Sequence, residues 1–195
     1  MRPHYKTIVR HGVVKKSDFR WAWRIVLSSV ALATVFTLLS TAALETAGYV
    51  LAFCVLLIFI LIGIVFDMIG VAVMAADETP FHSMAARGGP GAKEAIRLIK
   101  NADRVSNICN DVVGDITGII SGTTMAVIAA RLVWDFHLPS LAVNLTISAA
   151  VIGLIIGGKA LGKGTAIRDG NRIVYFVAKC IYRVNWLVAK LTWRA

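Results

Sequence analysis

Hydrophobic and polar residues alternate along this chain in long blocks, and the blocks predict its elements. Four apolar runs, at 25–44, 49–76, 105–132 and 140–158, are each about as long as the roughly 20 residues that a membrane-spanning helix needs. A polar connector over 77–104 separates the second run from the third. It contains Pro80, Gly88 to Gly91 and a short amphipathic helix. The pattern predicts an all-α membrane protein with four transmembrane helices.

The C-terminal segment, 159–195, has a different pattern. We expect a basic turn followed by an amphipathic helix that lies in the membrane interface, because its basic residues recur seven and four positions apart on one narrow stripe. Apolar side chains fill most of the remaining circumference, so a solvated helix is the less favoured interpretation. The stripe consists of Arg172, Lys179, Arg183, Lys190 and Arg194.

The distribution of basic residues predicts the orientation. Lys and Arg number seven in 1–24, none in 45–48, five in 77–104, one in 131–139 and eight from 159 onward. Because Lys and Arg accumulate on the cytoplasmic side, both termini and the connector are expected in the cytoplasm, with the spans in the plasma membrane. A secretory signal peptide does not fit, since the run at 25–44 is too long.

Composition and charge refine this assignment. The chain has 195 residues, of which 57% are hydrophobic and 16% are charged, and its net charge is +10. The basic residues flank the apolar runs, so anionic lipid headgroups are the expected counter-charge and nucleic acid is not an expected partner. The three cysteines have no paired or metal-binding spacing, and no arrangement of Ser, His, Asp or Cys indicates an enzyme.

Acidic residues inside the apolar runs are the candidate functional groups. Asp67 lies in the second run, and one face of the third run is entirely small or polar. A carboxylate at lipid depth costs at least about 2.5–3.5 kcal/mol, so this face is expected to meet protein or water. The face contains Asn107, Asn110, Asp111, Gly114, Asp115, Gly118, Ser121 and Gly122.

Simple geometry suggests that these acids converge. Asp115 lies eleven residues after Arg104 and Asp67 lies ten before Asp77, which places both at a depth of about 15 Å at 1.5 Å per residue. The Gly114, Gly118 and Gly122 ridge is also typical of a close helix–helix contact. Hard divalent cations favour carboxylate oxygens, so Asp67, Asn110, Asp111 and Asp115 are the predicted metal ligands.

Three stretches of the chain, taken in order, carry a family resemblance. Residues 75–80 read A-A-D-E-T-P at the end of a span, a basic helical connector follows, and the next span contains Asn110-Asp111. After the last span comes the segment from Gly158 to Ala166. This order resembles the transmembrane domain of the CNNM/CorC magnesium transporters. In that family, the three stretches are, in the same order, an S-A-S-E-T-A motif, a Gly-Asn pair and a turn with the pattern G-E-x-x-P-K-x-x-A. The resemblance covers about residues 50–190 and implies an extra N-terminal span and a homodimer.

The resemblance also implies departures from the family. The family's CBS domains have no counterpart in this sequence, and its serine ligands align with Val71 and Ala75. The glutamate of the last turn is replaced by Lys159. Two hypotheses follow. The first is a divalent-cation transporter for an ion such as Mg²⁺, which the sequence favours because three acids on two helices exceed what one packing contact needs, and the alternative is a non-transporting relative. In the second, the intramembrane acids pair with Lys159 and Lys163, and the protein has a structural or auxiliary membrane role.

Overall fold

The chain folds around one long apolar helix. The computed structural model describes residue 23, residues 26–31, 33–35, 37 and 38, and residues 48–192. Helix α1, Tyr49–Ala75, begins after Gly48, is almost entirely apolar and ends as the backbone becomes extended at Ala76. The short described stretches before it are helical, but most of the predicted span at 25–44 lies outside the described residues.

The last two predicted spans form an antiparallel pair beside α1. Helix α4, Ala102–Phe136, contains a π-helical segment at Ile108–Val113. Helix α5, Ser140–Arg168, follows it. His137 adopts a left-handed conformation with φ 51° and ends α4, and Pro139 precedes α5. Helices α1, α4 and α5 are each long and apolar enough to cross a membrane, so the chain is a membrane protein.

The predicted turn after Gly158 is wrong. Helix α5 continues for ten more residues, from Lys159 to Arg168, and the chain turns only at Asp169. Two glycines of this segment serve close packing. A Cβ on Gly158 would overlap the Ile64 side chain of α1, and one on Gly162 would lie 2.7 Å from Cγ of Met68. Small residues four apart let α5 approach α1 closely.

The connector and the C-terminal segment pack together at one end of α1. The connector forms α2, Thr79–Ala86, and α3, Ala92–Lys100, and the segment after α5 forms α6, Gly170–Thr192. The predicted amphipathic helix at 92–102 is thus present as α3. Its buried Ala95 joins one hydrophobic core with residues of α1, α2, α5 and α6. That core contains Ala72, Val73, Phe81, Ala95, Ala166, Val174 and Ala178.

Tight backbone contacts fix this end of the molecule. Gly91 precedes α3 with φ 84°, and a Cβ there would lie 3.1 Å from the backbone of Lys179 on α6. A left-handed conformation combined with such a close approach requires glycine. At the other end of α1, a second core of Ala52, Leu56, Ile60 and Ile128 holds α1 against α4. Both ends of α1 are therefore anchored, and the site described next lies between them.

Candidate functional site

Asp67 is the buried acid at the centre of the helix bundle. Only 5% of the residue is exposed. Two lysines of α5 face it: Lys159 Nζ lies 3.9 Å from Oδ1, and Lys163 Nζ lies 3.9 Å from Oδ2. Because α5 stays helical past Gly158, these lysines fall four residues apart on the face that contacts α1. The continued helix thus builds an ion triad of one carboxylate and two ammonium groups.

The two lysines of this triad differ in exposure. The Lys159 side chain is 30% exposed and that of Lys163 is 53% exposed. Lys163 therefore keeps contact with the surroundings through its long stem, as lysines near membrane boundaries do. Both separations exceed hydrogen-bonding distance, and Oδ2 of Asp67 is buried without a hydrogen-bond partner among the described residues. The triad is held by charge attraction.

Asn110 lies next to this triad on α4. A Cβ on Gly70, one helical turn after Asp67, would overlap the Asn110 amide, so the two helices meet here with only a glycine between them. The Asn110 Nδ2 group donates to Ser106 Oγ at 3.1 Å, while its Oδ1 is buried without a partner in the described part of the chain. Asn110 also lies within the π-helical segment, a feature found frequently at functional sites.

Asp111 and Asp115 lie elsewhere on α4. Both are exposed, and neither side chain forms an ion pair or a hydrogen bond with any described residue. Within the described residues, no three His, Cys, Asp or Glu side chains stand close enough together to hold a metal ion. The structure therefore places Asn110 near Asp67 and leaves the other two acids on the outer surface of α4.

The polar face of α4 consequently has two halves. Asn110, Gly114 and Ser121 turn inward, while Asp111, Asp115 and Gly118 are exposed. Consecutive helical residues differ by about 100° in direction, so an Asn-Asp pair cannot point both side chains at α1. The predicted Gly114, Gly118 and Gly122 ridge makes little contact within the chain, since a Cβ on Gly118 or Gly122 would meet no atom within 4 Å.

The sequence does not indicate a small cavity beside the triad. Its volume is about 30 Å³, and it lies between α1, α4 and α5. Most of its lining is apolar and includes Phe59, Ile60 and Ile155, and the lining residues with small or polar side chains are Gly63, Gly114, Thr117, Gly118, Ser121 and Lys159. Ser121 belongs to the polar stripe that the sequence shows, but nothing in the apolar pattern of α1 singles out Gly63 as the opposite wall.

The A-A-D-E-T-P stretch forms the junction after α1. The backbone N–H and hydroxyl of Thr79 both donate to Asp77 Oδ1, at 3.0 and 2.9 Å, and hold the pKa of this carboxyl below its usual range. The backbone N–H of Asp77 donates to Asn171 Oδ1 at 2.9 Å, which connects α1 to the beginning of α6. The A-A-D-E-T-P stretch therefore has a structural role, because its contacts join the end of α1 to the beginning of α6.

Comparison of the chain with protein-family models, with characterised proteins and with solved structures finds no match. The resemblance to the CNNM/CorC transmembrane domain therefore rests only on the order and the amino-acid sequences of the three stretches. The ion triad, the Asn110 contact and the exposed acids of α4 are the observations from which a function can be argued.

Proposed function

We propose that this chain is a structural or auxiliary membrane protein, related to the CNNM/CorC transmembrane domain, in which lysine takes the place of a transported cation. The observation that carries the proposal is the pairing of buried Asp67 with Lys159 and Lys163 at 3.9 Å each. It favours the second of the two hypotheses, because the acid deepest in the bundle is already neutralised by the chain's own residues.

The chemistry of the triad supports this choice. Buried charges usually pair with one another, and a carboxylate already facing two ammonium groups has little negative charge left to attract Mg²⁺. Lys159 stands where the resemblance puts a metal-ligating glutamate, so a divalent cation would meet a positive charge at that position. By this reasoning, the triad fastens α5 to α1 and contributes to assembly of the bundle.

The proposed arrangement in the membrane has four spans, the predicted helix at 25–44 being the first. Both termini and the connector face the cytoplasm of a plasma membrane, in keeping with the excess of Lys and Arg there. Helix α6 would lie in the interface, since Arg172, Arg183 and Lys190 are exposed along it and Lys190 Nζ lies 5.0 Å from the Trp186 ring centre. Anionic headgroups would bind that basic stripe.

The proposed assembly is a homodimer that covers the outer half of the α4 face. Asp111, Asp115 and Gly118 are exposed in the single chain. If acyl chains surrounded them, each carboxylate would cost at least about 2.5–3.5 kcal/mol. A second copy packed on the same face excludes lipid, and the glycines permit close approach of the two backbones. The family resemblance implies the same state.

Divalent-cation transport is the second candidate, and one observation favours it. Asp111 and Asp115 carry unpaired carboxylates one turn apart on a helix long enough to cross a membrane. Two copies of this face would bring four carboxylates together, a donor set suited to hydrated Mg²⁺. In that arrangement the metal residues would be Asp111 and Asp115 with Asn110 behind them, while Asp67 would stay paired with lysine.

Mg²⁺ flux into proteoliposomes separates the two candidates. For an auxiliary protein, we expect wild-type flux to equal that of empty vesicles, and the Asp111→Asn variant to behave the same. Wild-type flux well above empty vesicles, lost in Asp111→Asn, would overturn the proposal in favour of transport. The matched control is Asp103→Asn, which changes an exposed aspartate at the beginning of α4 and should leave any flux unchanged.

A further inference from the structure

A polar pocket lies where α1 and α5 end and α6 begins. Its volume is about 410 Å³, within the range of about 300–1,000 Å³ that is typical of small-molecule sites. Helices α1 and α5 have 27 and 29 residues, so each is about 40 Å long, which exceeds the hydrocarbon core of about 30 Å. Because both helices are apolar enough to cross a membrane and both end here, we expect the pocket at the level of the lipid headgroups.

One wall of the pocket is positively charged. Arg168 and Arg172 share a single carboxylate, that of Asp169, at 3.3 and 3.9 Å, so these three groups have a formal charge of +1. Both arginine side chains are largely exposed, and Arg168 uses only its Nε–H in this contact. Its terminal amino groups have no partner among the described residues. Guanidinium groups of this kind are well suited to bind phosphate.

Another wall of the pocket carries a negative charge. The backbone N–H and the hydroxyl of Thr79 both donate to Asp77 Oδ1, which holds the pKa of this carboxyl below its usual range and keeps it ionised at neutral pH. The other oxygen, Oδ2, has no hydrogen bond or ion pair within the described part of the chain, and the residue is exposed. An ammonium group in the pocket can therefore donate to Asp77 Oδ2.

The two charged walls together select the class of ligand. A simple anion would be repelled by Asp77, and a simple cation would be repelled by the arginines. A zwitterion with a phosphate at one end and an ammonium group at the other pairs with both walls. The pocket is also lined by Ala75 and Ile167, which are exposed at the ends of α1 and α5. Acyl chains can therefore continue along these two helices from a headgroup that is held in the pocket.

We propose that this pocket binds a zwitterionic phospholipid with a primary ammonium group, as in phosphatidylethanolamine. Its phosphate binds Arg168 and Arg172, and its ammonium group binds Asp77. The proposal concerns the junction of α1, α5 and α6 and not the ion triad, so it stands or fails independently of Mg²⁺ transport. The rest of the basic stripe on α6 stays available to anionic headgroups. A bound lipid would fasten the beginning of α6 to the ends of α1 and α5.

Thermal unfolding of the detergent-purified protein in mixed micelles tests this proposal by comparing phosphatidylethanolamine with phosphatidylcholine of the same acyl chains. Both lipids have a phosphate and no net charge, but the trimethylammonium group of phosphatidylcholine has no N–H to donate to Asp77. At about ten times its Kd, phosphatidylethanolamine should raise the Tm of the wild type by about 3–6 °C, and phosphatidylcholine by less than half as much. Glycerophosphoethanolamine, the same headgroup without acyl chains, should have no effect at the same concentration.

Two variants remove one contact each. Asp77→Asn keeps an oxygen that accepts from Thr79, so the junction should still form, but the variant should respond equally to the two lipids. Arg168→Gln should lose most of the response to both lipids. Asp103→Asn and Arg87→Gln make the same changes at exposed residues outside the pocket, and both should keep the wild-type preference.

Three results would overturn the proposal. Equal increases in Tm with the two lipids for the wild type, or an unchanged preference in either pocket variant, would indicate that lipid surrounds the protein without a specific site here. An increase with glycerophosphoethanolamine as large as that with the lipid would indicate a soluble ligand.

Discussion

Lys159→Glu is expected to lower the Tm of the protein by about 4–12 °C in metal-free buffer. The substitution replaces an ammonium group 3.9 Å from a buried carboxylate with a second carboxylate. Breaking a buried ion pair costs about 3–5 kcal/mol, and we take about 2–3 kcal/mol here because Lys159 is 30% exposed and Lys163 still faces Asp67. For a chain of this length, that free-energy loss corresponds to the stated shift in Tm.

The control for this prediction is Lys93→Glu, which makes the same change on the exposed surface of α3. Substitutions of this kind usually change stability by no more than about 0.5 kcal/mol, so Tm should move by at most about 2 °C. Equal Tm values for the wild type and Lys159→Glu would mean that Asp67 and Lys159 do not interact appreciably in the folded protein.

The same variant is expected to gain divalent-cation binding that the wild type lacks. The introduced glutamate would restore the acid that the CNNM/CorC resemblance places at this position, opposite Asp67. Two facing carboxylates suit Mg²⁺, which keeps several waters in such sites. Titration calorimetry should therefore detect Mg²⁺ binding to Lys159→Glu, and at about 100 times the Kd, Mg²⁺ should stabilise this variant by about 2.7 kcal/mol.

Lys159→Gln separates the effect of losing the ammonium group from the effect of gaining a carboxylate. It removes the ammonium group without supplying a carboxylate, so it should bind Mg²⁺ much more weakly than Lys159→Glu. If Lys159→Glu binds no better than the wild type, the alignment of the Gly158 to Ala166 segment with the family's metal-ligating turn is wrong. The ion triad could still be correct in that case, because it depends on the contact between α1 and α5 and not on the family.

The membrane helices are the part of the fold that the sequence predicts well. Runs of about 20 apolar residues leave few alternatives, and α1, α4 and α5 lie where the last three runs lie. The end of α5 was predicted wrongly because the resemblance to the family's turn placed the end of the span at Gly158. In the structure, Gly158 and Gly162 instead accommodate Ile64 and Met68 of α1. Only the position of this partner helix shows that the segment stays helical.

The sequence predicts which residues form the candidate site but not which of them contact one another. The sequence identifies Asp67 and offers Lys159 and Lys163 as one possible set of partners, and the structure places both lysines beside it. The sequence cannot show that Asn110 faces α1 while Asp111 is exposed, because a helical stripe indicates a face of the helix and not which half of that face meets α1. The π-helical segment at Ile108–Val113 has no clear signature in the sequence, and it lies at this boundary between inward and exposed residues.

The most direct test of the account is a double-mutant cycle between Asp67 and Lys159. Unfolding free energies of the wild type, Asp67→Asn, Lys159→Gln and the double variant give the coupling between the two side chains. If the ammonium group occupies the place of a cation beside Asp67, the coupling should be at least about 1 kcal/mol, with the double variant more stable than the sum of the single losses predicts. Effects that add to within about 0.5 kcal/mol would contradict the account.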